Sequence, residues 1–209
     1  MGNLPCDLKL FLGADFAEAV HRIDVPVTGC VLFALTADAL AFLNAAFAGD
    51  KAITGAAAAL PVEKKYWAIL EKPAVMLPEN LKPCGELVHW VETNSRLNKS
   101  FAYNDRAPGR KKASLKYRIA GEGKNYLFAE VQLLSGKHHQ IRAQFAAIGL
   151  HIKGDLKYGA KRSEKDGGIR LHARSLSFPN PLKTSEKICA TAVPPQMDNL
   201  WEAFSAAAL

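Results

Sequence analysis

His21-Arg22-Ile23-Asp24-Val25-Pro26-Val27-Thr28-Gly29 is the stretch on which the reading of this chain turns. It sets an imidazole, a guanidinium and a carboxylate within four residues. Pro26 and Gly29 then favour a turn, because proline fixes φ and glycine relaxes it. The apolar run over residues 30–35 follows directly and predicts a buried strand. Asp24 is therefore expected on a tight loop against a sheet, where functional side chains are often displayed. A carboxylate beside an arginine can act as a nucleophile or a base held ionised by its neighbour. The same residues also read as a structural Asp–Arg pair.

Outward from that loop, the segment 14–20 predicts a helical turn leading in. Downstream, Thr36 can cap a helix running to Phe47, with Leu40, Leu43 and Phe47 on one face. Residues 49–61, with Gly49, Gly55, four consecutive alanines and Pro61, read as a loop or short insertion. Residues 63–70 predict a strand closed by Lys72-Pro73, and Tyr66 on it reads by default as core. Residues 74–113 are rich in Pro, Asn, Gly and charge, with one short strand candidate at 87–91. Residues 113–120 and 126–134 predict two strands paired through a turn at 121–125, and 169–178 a third. Between the last two, Ser135-Gly136-Lys137-His138-His139-Gln140-Ile141-Arg142 leads into a helix. Ile141, Phe145 and Ile148 would form its apolar face and Gly149 its cap. Arg142 then stands near a helix N-terminus, where the dipole disfavours a cation. It is expected to be held by an anion, either a phosphate or a protein carboxylate.

The bulk numbers narrow the class. A chain of 209 residues predicts one domain with a sizeable core. Its 49% hydrophobic content and mean hydropathy of −0.04 fit a soluble globular protein. No apolar run approaches the ~20 residues of a membrane helix, and residues 1–9 lack the layout of a secretory signal. Cys6, Cys30, Cys84 and Cys189 are scattered with no C-x-x-C pair, which argues against a zinc ribbon and for a reducing, cytoplasmic setting. The net charge is +7 and unevenly placed. Residues 110–170 hold 14 Lys/Arg against 5 Asp/Glu, a net of +9, which leaves −2 for the remainder. A basic half on a nearly neutral body predicts a polyanionic partner. Arg110, Lys111 and Lys112 open that half and are candidates for phosphate contacts. The adjacent His138 and His139 face different directions on any regular element. No HExxH or paired Cys supports them, so no metal site is expected and a metal-dependent hydrolase lacks its ligand spacing.

Taken in order, these pieces resemble the RluA-type family of RNA pseudouridine synthases. The resemblance is carried by His21-Arg22-Ile23-Asp24 with Thr28-Gly29, Lys65-Tyr66 opening a strand, and Gly136-Lys137-His138-His139-Gln140-Ile141-Arg142 before a helix. Gly154-Asp155-Leu156-Lys157-Tyr158-Gly159, Arg170-Leu171-His172-Ala173 and the closing Pro179 and Pro181 complete it. It implies an α+β catalytic fold: a central, mostly antiparallel mixed sheet flanked by helices and loops, with an RNA-binding cleft. It implies isomerisation of uridine to pseudouridine in ribosomal or transfer RNA with no cofactor, no membrane and no obligatory protein partner. The base must be flipped out to be reached. By match, Asp24 is the catalytic aspartate and Arg22 fills the space of the flipped base. Tyr66 stacks on the uracil, Arg142 pairs with the aspartate and Leu171 walls the pocket. Lys137 stands where arginine is frequent, keeping the charge for a backbone contact but losing the fork, and Val25 replaces a frequent basic residue. A strand and Lys-Pro turn usual ahead of the aspartate loop are not found in the 20 residues before His21. No basic N-terminal RNA-binding domain is appended, so residues 1–209 are expected to form a single catalytic domain. A non-catalytic RNA-binding protein with the same fold is the alternative.

Overall fold

The computed structural model describes residues 4–49, 60–73, 81–195 and 197–208. The expected loop at 49–61 falls largely outside them. In chain order the first elements are α1 (Leu4–Leu12), β1 (Glu18–Ala19), β2 (Thr28–Gly29), β3 (Phe33–Ala34), α2 (Ala37–Ala48) and β4 (Glu63–Glu71). There follow β5 (Cys84–Asn94), β6 (Lys99–Tyr103), β7 (Lys111–Glu122), β8 (Tyr126–Leu133), α3 (Gln140–Ala147) and β9 (His151–Ile152). A 3-10 turn (Leu156–Tyr158), β10 (Leu171–Pro179), β11 (Lys187–Thr191) and α4 (Asn199–Ala207) close the chain. Two compact units result. One holds Met1–Ile23, Cys30–Lys64 and Ser175–Ala192; the larger holds Asp24–Gly29, Lys65–Arg174 and Val193–Leu209.

The larger unit is built on a mixed sheet in the order β10-β4-β8-β7-β5-β6, with β9 beside β4 and β2 beside β10. β5, β6, β7 and β8 pair antiparallel, and β2 joins β10 in parallel. This is the α+β mixed sheet the motifs imply. β7 alternates as a half-buried strand should, with Ala113, Leu115 and Tyr117 inside and Lys116 and Arg118 outside. β4 does not alternate, because Tyr66 to Leu70 are buried on both faces. One face of β4 is covered by α4. Asp198 caps that helix by accepting hydrogen bonds from Leu200 N–H and Trp201 N–H, both 3.2 Å. Trp201 and Phe204 then pack on Trp67 and Phe128, with the Phe204 ring 4.7 Å from Trp67 and 5.4 Å from Phe128.

In the smaller unit Leu43 of α2 packs with Val20, Ala34, Leu176 and Phe178. Thr36 caps it as expected, accepting from Ala39 N–H at 3.2 Å. His21 accepts a hydrogen bond from Leu32 N–H at 3.2 Å and stacks on Phe47. It is therefore part of this core. The last residues of β10 pair antiparallel with β11.

Four expectations are corrected. Residues 30–35 are not one buried strand. Within the run only Phe33 and Ala34 are extended, as β3 paired with β1, while β2 lies just ahead of it at Thr28–Gly29 and pairs with β10. Residues 14–20 are not helical; the helix lies earlier, at Leu4–Leu12, and ends where Gly13 takes a φ of +62°. A strand therefore does precede the aspartate loop, as the two residues of β1. Finally, residues 84–103 form a long hairpin rather than one short strand. Its turn rests on Asn98 at φ +45°, a conformation asparagine tolerates.

Phe204→Ala removes the ring shared by Trp67 and Phe128. It should cost about 3–5 kcal/mol, read as a lowered urea midpoint with loss of near-ultraviolet tryptophan signal.

Candidate active site

The loop that carries Asp24 is tied down on the larger unit's sheet. Thr28 and Gly29 pair in parallel with His172 and Ala173. Gly29 has φ +118°, and a Cβ there would sit 2.3 Å from the Ala173 carbonyl oxygen, so only glycine lets the two backbones meet. Ile169 N–H donates to Pro26 O at 3.0 Å, and Val27 N–H to Asp24 O at 2.9 Å. Thr28 Oγ1 lies 2.7 Å from Nδ1 of the buried His172. Asp24 thus projects from a turn fixed on both sides.

Facing it is α3, a helix with a buried polar stripe. Gln140, Arg142 and Gln144 are buried along with Ile141 and Phe145. The two glutamines are fully used. Gln140 donates to Ser114 O and to Gln144 Oε1, and accepts from Lys137 N–H and Ser135 Oγ. Gln144 donates to Leu87 O at 3.0 Å. These bonds seat the helix on β5 and β7, so Ile141 and Phe145 describe only part of its buried surface.

Arg142 is 4% exposed. Its Nε and Nη2 form a fork on Asp155, at 2.6 and 2.8 Å, and its Nη1 reaches Asp24 Oδ2 at 3.2 Å. The anion expected at this cation is a pair of protein carboxylates. Burial alone would lower the guanidinium pKa, but the Asp155 bonds and charge, then those of Asp24, raise it. Gly154 places Asp155 by a φ of +91°, where a Cβ would meet Glu164 at 2.8 Å.

A second contact approaches the same carboxylate oxygen. His139 Nε2 lies 3.8 Å from Asp24 Oδ2, and its Nδ1 lies 3.0 Å from the Tyr158 hydroxyl. That hydroxyl accepts from Ser100 N–H at 2.8 Å. Burial first, then the positive charge of Arg142, lowers the His139 pKa to about 4, although Asp24 pulls the other way. Burial raises Tyr158 to about 12. Near neutrality His139 is thus uncharged and Tyr158 keeps its proton. The Tyr158 hydroxyl donates its one hydrogen to Ser100 O at 3.0 Å, so toward His139 it accepts, from Nδ1–H. Among the described residues, all side-chain contacts of Asp24 fall on Oδ2. Oδ1 is left open, on a side chain still 20% exposed.

Other residues singled out in the sequence lie as follows. Tyr66 is buried on β4, and Leu171 is buried at the start of β10. Those two strands are linked by Ile69 N–H to Arg170 O at 2.9 Å. Arg22 is exposed. Arg110 bonds Asp105 at 2.8 Å and lies 3.6 Å over the Tyr103 ring. Lys111 and Lys112 are exposed on β7, and Lys137 is half-buried in the turn before α3. His138 and His139 do not diverge. Their rings stack at 3.8 Å because His139 takes the left-handed φ of +51°. No group of three or more His, Cys, Asp or Glu among the described residues is arranged to hold a metal ion. Asp155, His139 and Tyr158 had been given no role from the sequence. The demand of Arg142 for a counter-charge marked an anion nearby without singling out Asp155.

The profile of the RNA pseudouridylate synthase family matches residues 7–147. The chain belongs to this family, in keeping with the RluA-type motifs. An uncharacterised RNA pseudouridine synthase of Zymomonas mobilis is 28% identical over 76% of this chain and 65% of its own length. The tRNA pseudouridine synthase C of Haemophilus ducreyi is 26% identical over 88% of this chain and 73% of its own length. The chain spans less than two thirds of most curated relatives it matches. The solved structure of human RNA pseudouridylate synthase domain containing 4 shares the fold, with a TM-score of 0.68 at 19% identity over 98% of this chain and 81% of that one.

Asp155→Ala strips Arg142 of its fork and leaves a buried, half-compensated charge. It should destabilise by about 3 kcal/mol, whereas Asp155→Asn, which keeps an acceptor, should cost less; urea unfolding compares the two. His21 and His139 are both held near 4 in the folded protein, against 6.5 for an ordinary histidine. Below about 6.5 the unfolded chain binds protons that the native state refuses, so stability is full above that pH and falls as pH drops toward 4. The urea midpoint measured from pH 7.5 to 4.5 should show this decline, and His139→Gln should make it shallower.

Proposed function

We propose that this chain isomerises uridine to pseudouridine in RNA, with Asp24 acting at the ribose. The observation that carries the reading is a carboxylate held by one oxygen, through Arg142, with the other oxygen open. The N1–C1′ bond of the nucleotide breaks, the uracil turns, and a C5–C1′ bond forms. The C5 proton is lost to solvent and N1 gains one, so substrate and product have the same atoms and oxidation level. This balance requires no redox cofactor. Attack on the anomeric carbon and removal of a sugar proton both require an ionised carboxylate with a free oxygen. Arg142 holds that carboxylate by Oδ2 alone.

The remaining roles follow from the resemblance and from placement. Tyr66 stacks on the uracil, Leu171 walls the pocket, and Arg22 takes the space of the flipped base. Arg110, Lys111, Lys112 and Lys137 contact the backbone, with Arg110 doing so only if it leaves Asp105. The substrate is a structured ribosomal or transfer RNA, the two classes named among the relatives. In this reading residues 1–209 work as one catalytic domain in the cytoplasm, with no obligatory protein partner. No helix among the described residues is long and apolar enough to cross a membrane, and no disulfide joins the cysteines.

Tritium release from RNA labelled at uridine carbon 5 tests the proposal. The unaltered chain should release label from unmodified total RNA. Asp24→Asn should release none while binding RNA within severalfold of the original affinity. Release by a clean Asp24→Asn preparation would remove Asp24 from the chemistry. RNA binding without release by the unaltered, folded chain would favour the binding protein instead.

A further inference from the structure

We infer that a basic cleft at the end of β4, remote along that strand from Tyr66, holds the sugar–phosphate backbone of the RNA. The inference rests on the reading above that RNA is the substrate. The cleft has a volume of about 610 Å³ and is lined by Lys72, Lys124, Tyr126, Lys153, Lys161 and Arg162, with Glu71 its one carboxylate. Four separate pieces of chain converge here: the end of β4, the β7–β8 turn, Lys153 just after β9 and the segment after the 3-10 turn. Convergence of this kind differs from lysines scattered singly over a surface.

The charges are unbalanced. Lys72 pairs with Glu122, and Lys153 pairs with Glu164. Glu71 Oε2 accepts a hydrogen bond from Lys161 N–H at 3.0 Å. Lys124, Lys161 and Arg162 are exposed, and their side-chain charges form no ion pair within 4.0 Å among the described residues. Even with Glu122 and Glu164 counted beside Glu71, the five cations leave two positive charges in excess. Burial, and then the nearby Arg170, also lowers the pKa of Lys153, as a crowded cationic site should. An anion entering the cleft relieves that repulsion. Tyr126 adds an aromatic face and Asn125 an amide. Cations around an aromatic in a concave surface are the means by which single strands are held, backbone on charge and base on ring. None of these residues belongs to the cluster around Asp24.

The placement also constrains the ligand. Tyr66 and Glu71 are five residues apart on one strand, roughly 17 Å at the usual rise. A uridine at Tyr66 and a phosphate in the cleft therefore belong to nucleotides separated along the RNA. The cleft reads RNA beyond the reacting nucleotide, and only a long RNA reaches it.

The test is fluorescence anisotropy with a labelled, unmodified structured transcript over a range of salt, alongside turnover on the same RNA. Lys161→Gln/Arg162→Gln should weaken binding about tenfold and flatten the log–log salt slope by about 1.4, the value for two phosphate contacts to a single strand. Turnover at saturating RNA should not change. Lys124→Gln should act in the same direction with a smaller effect, which covers any failure of the double variant to fold. Lys116→Gln/Lys183→Gln, an equal charge change outside the cleft, should leave affinity as it was. Unaltered affinity and slope in folded cleft variants, or equal weakening in the control pair, would overturn the inference. Pseudouridine formed with unmoved affinity would remove the cleft and keep the reaction. Cleft-dependent binding with no pseudouridine would do the reverse.

Discussion

The buried charge of Arg142 is the constraint on which the rest of the site depends. A guanidinium taken out of water is costly unless it is paired and hydrogen-bonded. Asp155 meets most of that demand with a two-pronged contact, and Asp24 is bonded by the third nitrogen, Nη1. The division is uneven, and that is its value. A single bond through Nη1 holds Asp24 without engaging both of its oxygens. Had Asp24 received the fork, its carboxylate would be a structural counter-ion with little left to react.

The surrounding fold serves this division. α3 must bring a cation into the interior near its N-terminus, against its own dipole. It manages this with two buried glutamines whose bonds tie it to β5 and β7. The Asp24 loop is fixed independently by the Gly29 approach to Ala173 and by the β2–β10 pairing. Asp155 is fixed by the positive φ of Gly154. Three separately anchored segments therefore converge on one guanidinium. A neutral His139, backed by Tyr158 and the Ser100 backbone, closes the fourth side without adding a charge that would compete with Arg142.

Much of this was legible in the sequence. The strands that alternate or form continuous apolar runs, β4, β7, β8 and β10, stood out because their side chains record which faces are buried. The position of Arg142 against the dipole announced a counter-ion. What could not be read depended on pairing between distant residues. The apolar run over 30–35 looks like one strand, until Phe33 and Ala34 are seen to pair with β1 and the flanking Thr28 and Gly29 with β10. The β5–β6 hairpin hides in polar residues because much of it faces water. Asp155 is one carboxylate among many until Gly154 turns it toward Arg142. The stacking of His138 on His139 follows from a left-handed backbone that no periodicity encodes.

The most direct measurement is chromatography of nucleosides from digested RNA after incubation with the unaltered chain and with Arg142→Gln. If Arg142 holds Asp24 ready to react, the unaltered chain converts uridine into an isomer of equal mass and different retention. Arg142→Gln, shown to be folded, then loses about a hundredfold or more in kcat with little change in KM for RNA. An unchanged kcat in folded Arg142→Gln, or no isomer from the unaltered chain, would contradict it.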